Sequence, residues 1–148
     1  MLAYITIGTN DFQRAVNFYD AIFNVLGYSR LPAWTDSWAM WGNENHPDDE
    51  FSFCICPPFD QQPATAGNGT MFAFRANSAE IVRRFHAAGL RAGGKDEGVP
   101  GTRTAYGTLY TILCKCLFSE VTVQAVTELD NKAAHCHTPV PQRHRPFL

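Results

Sequence analysis

Apolar and polar residues alternate along two short segments of the chain, which end at Asn10 and Asn77. Alternation of this kind is typical of half-buried strands. Gln13 and Glu80 follow these asparagines by three residues, which predicts a helix N-cap with a capping box at both places. The pattern therefore predicts a strand that leads directly into a helix, twice in the chain.

Both predicted helices carry a stripe of apolar residues at helical spacing. The stripe positions are Phe12, Ala15, Val16, Tyr19, Ile22, Phe23 and Leu26 in the first helix, and Ile81, Val82, Phe85 and Ala88 in the second. A glycine and a bulky apolar residue follow each stripe, Gly27 with Tyr28 and Gly89 with Leu90. This pair is typical of a left-handed helix end. We therefore expect each helix to bury one face.

Strand-like segments follow each predicted helix. They lie at residues 28–33, 37–41 and 51–56 in the first half, and at 91–93, 105–116 and 120–128 in the second. Each half then has the order strand, helix and three strands. We predict one α+β domain over residues 1–148, with module one at 1–57, a linker at 58–69, module two at 70–128 and a tail at 129–148.

Composition narrows the classes of partner. A chain of 148 residues with 45% hydrophobic and 18% charged residues fits a single globular domain. The formal net charge of −2 leaves no basic stripe for a phosphate backbone, so we do not expect nucleic acid as a partner. No apolar run approaches the roughly 18 residues of a membrane span, and no leader-like segment follows Met1. We therefore expect a cytoplasmic protein with no membrane partner.

Four of the five cysteines form two Cys-x-Cys pairs, Cys54 with Cys56 and Cys114 with Cys116. Each pair lies in a strand-like segment, where alternation places both members on one face. Cysteine is among the most buried residue types. We interpret these side chains as reduced, buried thiols rather than as a disulfide framework.

The repeated βαβββ pattern resembles the vicinal oxygen chelate superfamily, the group of glyoxalase I, bleomycin-resistance proteins and extradiol dioxygenases. The shared motifs are the segment from Ile5 to Asp11, Phe18-Tyr19, Leu26-Gly27-Tyr28, Pro63-Ala64-Thr65, Gly67-Asn68-Gly69-Thr70, Asp96-Glu97-Gly98, Pro100-Gly101, Arg103 and Tyr106-Gly107. The resemblance implies a cup-shaped, half-barrel sheet with the helices outside. In the enzymes of the group it implies a divalent metal in the cup, held by the first and last strands of each half.

Three of the four positions that the resemblance assigns to metal ligands carry poor ligands. The first-strand positions are Tyr4 and Met71, a neutral phenol and a thioether. The last strand of the first half offers Cys54, or one of its neighbours if the register differs by one residue. Borderline and hard divalent ions prefer imidazole and carboxylate groups. A lone thiolate would therefore lack suitable co-ligands.

The fourth position depends on how the second half is aligned. A gap-free count puts Gln124 at the ligand position, whereas taking Asp130-Asn131-Lys132 as a remnant of the usual turn puts Ala134 there. We prefer the gap-free count, because residues 120–125 alternate as a strand does. A single amide oxygen does not hold a catalytic metal, so we expect neither a metal nor another cofactor.

Without a metal, the cup would offer aromatic and sulfur groups that suit flat or apolar molecules. The candidate ligand-binding residues are Tyr4, Thr6, Trp38, Cys54, Met71, Arg103, Tyr106, Tyr110 and Gln124. We predict a metal-free protein that binds a planar or amphiphilic small molecule. The alternatives are a metal-dependent lyase or dioxygenase resembling glyoxalase I, and an interaction domain whose cup is filled.

Apolar residues at a turn suggest self-association. Leu117 and Phe118 stand at a predicted hairpin tip, and the tail carries Pro139, Pro141 and Pro146. Exposed bulky apolar residues often mark a contact surface. We therefore predict a homodimer with the hairpin or the tail near the interface.

Overall fold

Two open sheets, each with one helix, form the fold. The computed structural model describes residues 3–32, 35–42, 52–65, 67, 69–102, 109–116 and 121–128. The elements are β1 (Tyr4–Gly8), α1 (Phe12–Leu26), β2 (Ser29–Arg30), β3 (Ala39–Gly42), β4 (Ser52–Cys56), β5 (Met71–Arg75), α2 (Ala79–Arg91), β6 (Lys95–Asp96), β7 (Gly101–Thr102), β8 (Leu109–Cys116) and β9 (Val121–Glu128). Neither described helix is long and apolar enough to cross a membrane.

The two sheets share one strand order, and the second sheet has one strand more than the first. The strand order is β1-β4-β3-β2 in the first sheet and β5-β9-β8-β6 in the second, where β7 also pairs with β8. In each sheet the opening strand lies parallel to the last strand, and the remaining pairs are antiparallel. The predicted α+β fold of tandem βαβββ modules is therefore confirmed.

Both helices and the helix-facing sides of both sheets contribute to one core. Phe23 of α1 contacts Phe53 of β4 and Phe74 of β5, with ring centroids 5.0 Å apart in each pair. Trp41 of β3 is buried beside them and donates its indole N–H to Asp20 Oδ1 at 2.9 Å. The predicted apolar stripes of α1 and α2 face this core. The two modules are thus joined by apolar contacts between their helix-facing sides.

The capping boxes predicted at Asn10 and Asn77 are wrong by one residue. The N-cap residues are Asp11 and Ser78, whose side chains each accept the backbone N–H three residues further on. Asp and Ser cap helices about as well as Asn, so neighbouring candidates cannot be ranked by residue type. Asn10 binds Ala64 instead.

The predicted end of α1 is confirmed. Gly27 has a φ of 85°, in the left-handed region that favours glycine. The Tyr28 N–H donates to Phe23 O at 3.0 Å, and the rings of these two residues are in contact. The glycine and the apolar residue after it thus end this helix together.

The predicted end of α2 at Gly89 is wrong. The helix continues to Arg91, and Gly93 with a φ of 88° takes the left-handed position. Gly89 instead lets α2 approach β8, because a Cβ there would lie 3.0 Å from Cys114 Sγ. The strand predicted at 91–93 is also wrong, because these residues form the end of α2 and the turn that follows it. Its place in the second sheet is taken by β6 and β7.

Replacing Gly94 with alanine is expected to lower the free energy of unfolding by about 1–3 kcal/mol through overpacking. A Cβ at Gly94 would lie 2.7 Å from Cys114 Sγ, 2.7 Å from Phe18 Cε2 and 2.8 Å from Gly89 O. Urea unfolding measures the change. The control is Gly101→Ala, where an added Cβ meets nothing within 4 Å. Equal stability of the two variants would contradict the described packing.

Candidate functional site

A cavity of about 530 Å³ lies beside β1, between the first sheet and the segment that leaves β4. Thr6 of β1, Cys56 of β4 and Val121 of β9 form part of its wall, and Trp38 lies beside them just before β3. The rest of the wall comes from the chain that joins the two modules. Ligand pockets usually fall between about 300 and 1,000 Å³, so the cavity has the size of a small-molecule site.

Residues 57–65, which we call the linker strap, form the outer wall of this cavity. The Gln61 N–H donates to Pro58 O at 3.0 Å, and the Gln62 N–H donates to Asp60 Oδ1 at 3.1 Å. Three prolines further restrict the backbone of the strap. The strap is therefore a shaped wall, although the sequence pattern predicted only a linker at 58–69.

The chemistry of the lining is mostly apolar, with one acidic group. Trp38 is half-buried in the wall, and Phe59 lies at its outer end with its side chain fully exposed. Asp60 supplies a carboxylate, and none of the described lining residues is Lys or Arg. Aromatic faces beside a carboxylate suit planar molecules that are neutral or positively charged.

The cysteines of the first sheet are buried, free thiols, as predicted. Burial raises the pKa of the Cys54 thiol to about 11, and repulsion from Cys56 adds to the effect. Burial also raises the pKa of Cys56. The thiolate is the form of cysteine that attacks electrophiles and binds metals. Both side chains are therefore protonated near neutral pH, and Cys56 acts as an apolar group in the cavity wall. Cys114 is buried as well.

The cavity brings together two of the predicted binding residues, Thr6 and Trp38. Tyr4 and Met71 lie on the opening strands with 56% and 44% of their surfaces exposed, and neither is among the residues that line this cavity. Cys54 has no exposed surface, so a ligand in the cavity does not reach it without movement of the wall.

The remaining predicted residues lie elsewhere or outside the described part of the chain. Tyr110 is on the helix-facing side of β8, packed against the core, with its hydroxyl 3.4 Å from Arg83 Nη1. Gln124 is buried. Arg103 and Tyr106 lie outside the described residues. The placement of Tyr110 in the cup is wrong, because the alternation along β8 turns this residue towards α2.

Taken together, the side chains at the four positions considered for a metal do not form a ligand set that fits a divalent ion. Tyr4 and Met71 offer a phenol and a thioether, and Cys54 is held as a thiol. The Gln124 side-chain amide donates to the Thr111 hydroxyl. Within the described residues, no group of three or more His, Cys, Asp or Glu side chains could hold a metal.

Sequence reasoning missed the strap residues of the site, above all Phe59. The available signal was the run Pro57-Pro58-Phe59, in which prolines stiffen a segment that carries a large aromatic side chain. Val121 was also missed, because its position at the start of β9 follows from the packing of the second sheet.

A separate polar cluster ties α2 to β6. His86 of α2 is nearly buried, and its Nε2 lies 3.1 Å from Asp96 Oδ1. The Gly98 N–H donates to the same carboxylate oxygen at 2.9 Å. This backbone hydrogen bond, followed by the bond and charge of His86, lowers the pKa of Asp96 below its usual value. Neither side chain is among the residues that line the cavity.

Two βαβββ modules with a cavity beside the first opening strand define the class of fold, and comparison with known proteins identifies the family. No protein-family model matches the sequence, and a search of curated proteins found no match. A glyoxalase/bleomycin resistance protein from Albidiferax ferrireducens T118 is 30% identical to this chain, with a TM-score of 0.72. The match covers 85% of this chain and 97% of that one. The chain belongs to the glyoxalase/bleomycin resistance protein family, and the predicted resemblance is confirmed.

More distant structures share the fold. A glyoxalase/bleomycin resistance protein/dioxygenase family enzyme from Burkholderia phytofirmans PsJN is 13% identical, with a TM-score of 0.65, and the match covers 86% of this chain and 98% of that one. TnmS3, an antibiotic binding protein from Streptomyces sp. CB03234, is 12% identical, with a TM-score of 0.58 and coverage of 87% and 96%. At these identities the likeness shows the fold alone.

Replacing Asp96 with asparagine is expected to remove an acid-sensitive part of the stability. Because its folded-state pKa lies below the ordinary 3.8, the carboxylate contributes fully above pH 3.8. This contribution is lost as the pH falls through the lowered pKa. The difference in unfolding free energy between the wild type and Asp96→Asn should therefore shrink towards low pH in urea titrations. A difference that stays constant at all pH values would contradict the lowered pKa of Asp96.

Proposed function

We propose that this protein binds a planar or amphiphilic small molecule in the cavity beside β1, without a metal and without turnover. The observation that carries the proposal is the cavity itself, which has an aromatic wall at Trp38 and Phe59 and one carboxylate at Asp60. Burial of flat apolar surface against such a wall is the main source of affinity for small ligands. The antibiotic-binding activity named for TnmS3 is consistent with a binding role on this fold.

The chemistry of the cavity favours binding over catalysis. Among the described lining residues, the groups that could act as a nucleophile or a base are Cys56, two threonines and Asp60. Burial raises the pKa of Cys56, so its thiolate is scarce near neutral pH. A threonine hydroxyl is a weak nucleophile unless a base activates it.

A metal-dependent lyase or dioxygenase is the alternative within the same family. It would need several metal ligands together, whereas Tyr4, Cys54 and Met71 offer a phenol, a thiol and a thioether and leave Gln124 as a single amide. An interaction domain with a filled cup is the other alternative. The cavity of about 530 Å³ beside β1 favours a binding role over it, because this cavity has the size of a small-molecule site.

Three dyes of similar size test the proposed function. Acridine orange is a planar cation, Nile red is planar and neutral, and anilinonaphthalene sulfonate is an anion. We expect the first two dyes to bind and to raise the melting temperature. A ligand present at 100 times its Kd raises the free energy of unfolding by about 2.7 kcal/mol. The anion should bind more weakly, since Asp60 is the charged group of the described lining.

A matched pair of variants locates the dye. Phe59→Ala should weaken acridine orange binding about tenfold, through lost aromatic contact, whereas Val99→Ala should leave it unchanged. Both side chains are exposed and apolar, but Val99 is not among the residues that line the cavity. Failure of all three dyes to bind would contradict the proposed function. Stoichiometric nickel, zinc, manganese or iron in the purified protein would contradict its metal-free form.

We also propose that the protein is a homodimer. Within the described strands, β1 and β5 each pair on one side only. Each carries an exposed apolar side chain, Tyr4 on β1 and Met71 on β5. Unpaired strand edges and exposed apolar groups favour contact with another chain. The predicted hairpin tip at Leu117 and Phe118 lies outside the described residues.

Sedimentation velocity at micromolar concentration tests the dimer. The wild type should sediment as a dimer, and the double variant Tyr4→Glu, Met71→Glu should sediment as a monomer, because a carboxylate is costly to bury at an interface. Val99→Glu changes an exposed apolar residue outside the strands and should remain a dimer. A monomeric wild type would rule out the dimer.

A further inference from the structure

Asn10 connects the end of β1 to the linker strap through two hydrogen bonds with one residue. Its Nδ2 donates to Ala64 O at 2.8 Å, and its Oδ1 accepts the Ala64 N–H at 2.7 Å. A primary amide has both a donor and an acceptor, so it can satisfy both backbone groups of Ala64 at once. The side chain thus pairs with the strap as a neighbouring strand would.

Close packing at the end of β1 supports the same contact. A Cβ on Gly8 would lie 3.1 Å from Pro58 Cγ and 3.2 Å from Ala64 Cβ. The strap therefore rests directly on the last residue of the strand, at a distance that leaves little room for a side chain. Gly8 provides the contact surface, and Asn10 provides the polar attachment two residues later.

The position of the strap determines the shape of the cavity. Pro58 and Pro63 line the ligand cavity, and they also line a second cavity of about 400 Å³ that includes Asn10 and Gln61 in its wall. The strap is therefore a partition between two spaces. If it moved away from Gly8, the wall that carries Phe59 would move with it.

We propose that Asn10 is the positioning residue of the ligand site. It holds the linker strap on β1, so that Phe59 and Asp60 stay at the cavity in the absence of ligand. A wall held in place before binding lowers the ordering cost that a ligand must offset. Asn10 is not among the residues that line the ligand cavity, so it acts through Ala64. The ligand part of this proposal rests on the proposed function.

A first experiment tests the attachment without any ligand. Hydrogen exchange of the Ala64 amide, followed by NMR, should become at least about tenfold faster in Asn10→Ala, because its acceptor is lost. Asn10→Asp keeps an acceptor oxygen and should give an intermediate rate. Asn24→Ala is the control, since Asn24 is an exposed asparagine near the other end of α1. Unchanged exchange at Ala64 in Asn10→Ala would overturn the proposal.

A second experiment tests the effect on binding, with acridine orange as the probe. The Kd should rise at least about tenfold in Asn10→Ala and less in Asn10→Asp, and it should not change in Asn24→Ala. Faster exchange at Ala64 with an unchanged Kd would overturn the positioning role. If the wild type binds none of the three dyes although exchange at Ala64 responds to Asn10→Ala, the proposed function fails. The ligand part of this proposal then fails with it.

Discussion

The contact of Phe23 with Phe53 and Phe74 is the interaction on which the rest of the structure depends. Phe23 belongs to α1, whereas Phe53 and Phe74 belong to different sheets, so these three rings join both modules. Phe23 and Phe53 are buried and Phe74 is partly buried against them. Burial of a phenylalanine side chain contributes about 1.5–3 kcal/mol, so this cluster is an important part of the core. With the helix-facing sides of the sheets committed to the core, the ligand site has to form on other surfaces.

The ligand site depends on a different kind of contact. The strap is fastened to the end of β1 by Asn10 and Gly8, at the outer margin of the first module. Most of its groups are partly or fully exposed, so its position depends on a few hydrogen bonds and on proline stiffness rather than on burial. The protein therefore combines a rigid shared core with a binding wall whose stability is set locally.

Periodicity predicted the helices and β5 because each of these elements is buried on one face and more exposed on the other. It could not choose between adjacent capping residues such as Asn10 and Asp11, since both cap helices well and the choice depends on what Asn10 binds elsewhere. It also could not identify Gly89 as a contact residue, because the approach of Cys114 belongs to another element.

The ligand site was predictable only in part, because some of its residues are placed by contacts between segments that lie far apart in the chain. Thr6 and Trp38 were found because they lie on or beside strands of the first module. Phe59 was not found, because its place depends on the strap folding back onto a residue far away in the chain. Tyr110 was misplaced because alternation shows that two faces differ without showing which face lies towards the helix.

The most direct test of the account is a crystal structure of the protein with acridine orange. The account predicts ordered dye between Trp38 and the linker strap, in contact with the Phe59 ring and with Asp60 near its positive charge. Ordered dye at another surface with an empty cavity would contradict it. Density for a divalent ion held by Tyr4, Cys54, Met71 or Gln124 would contradict it as well.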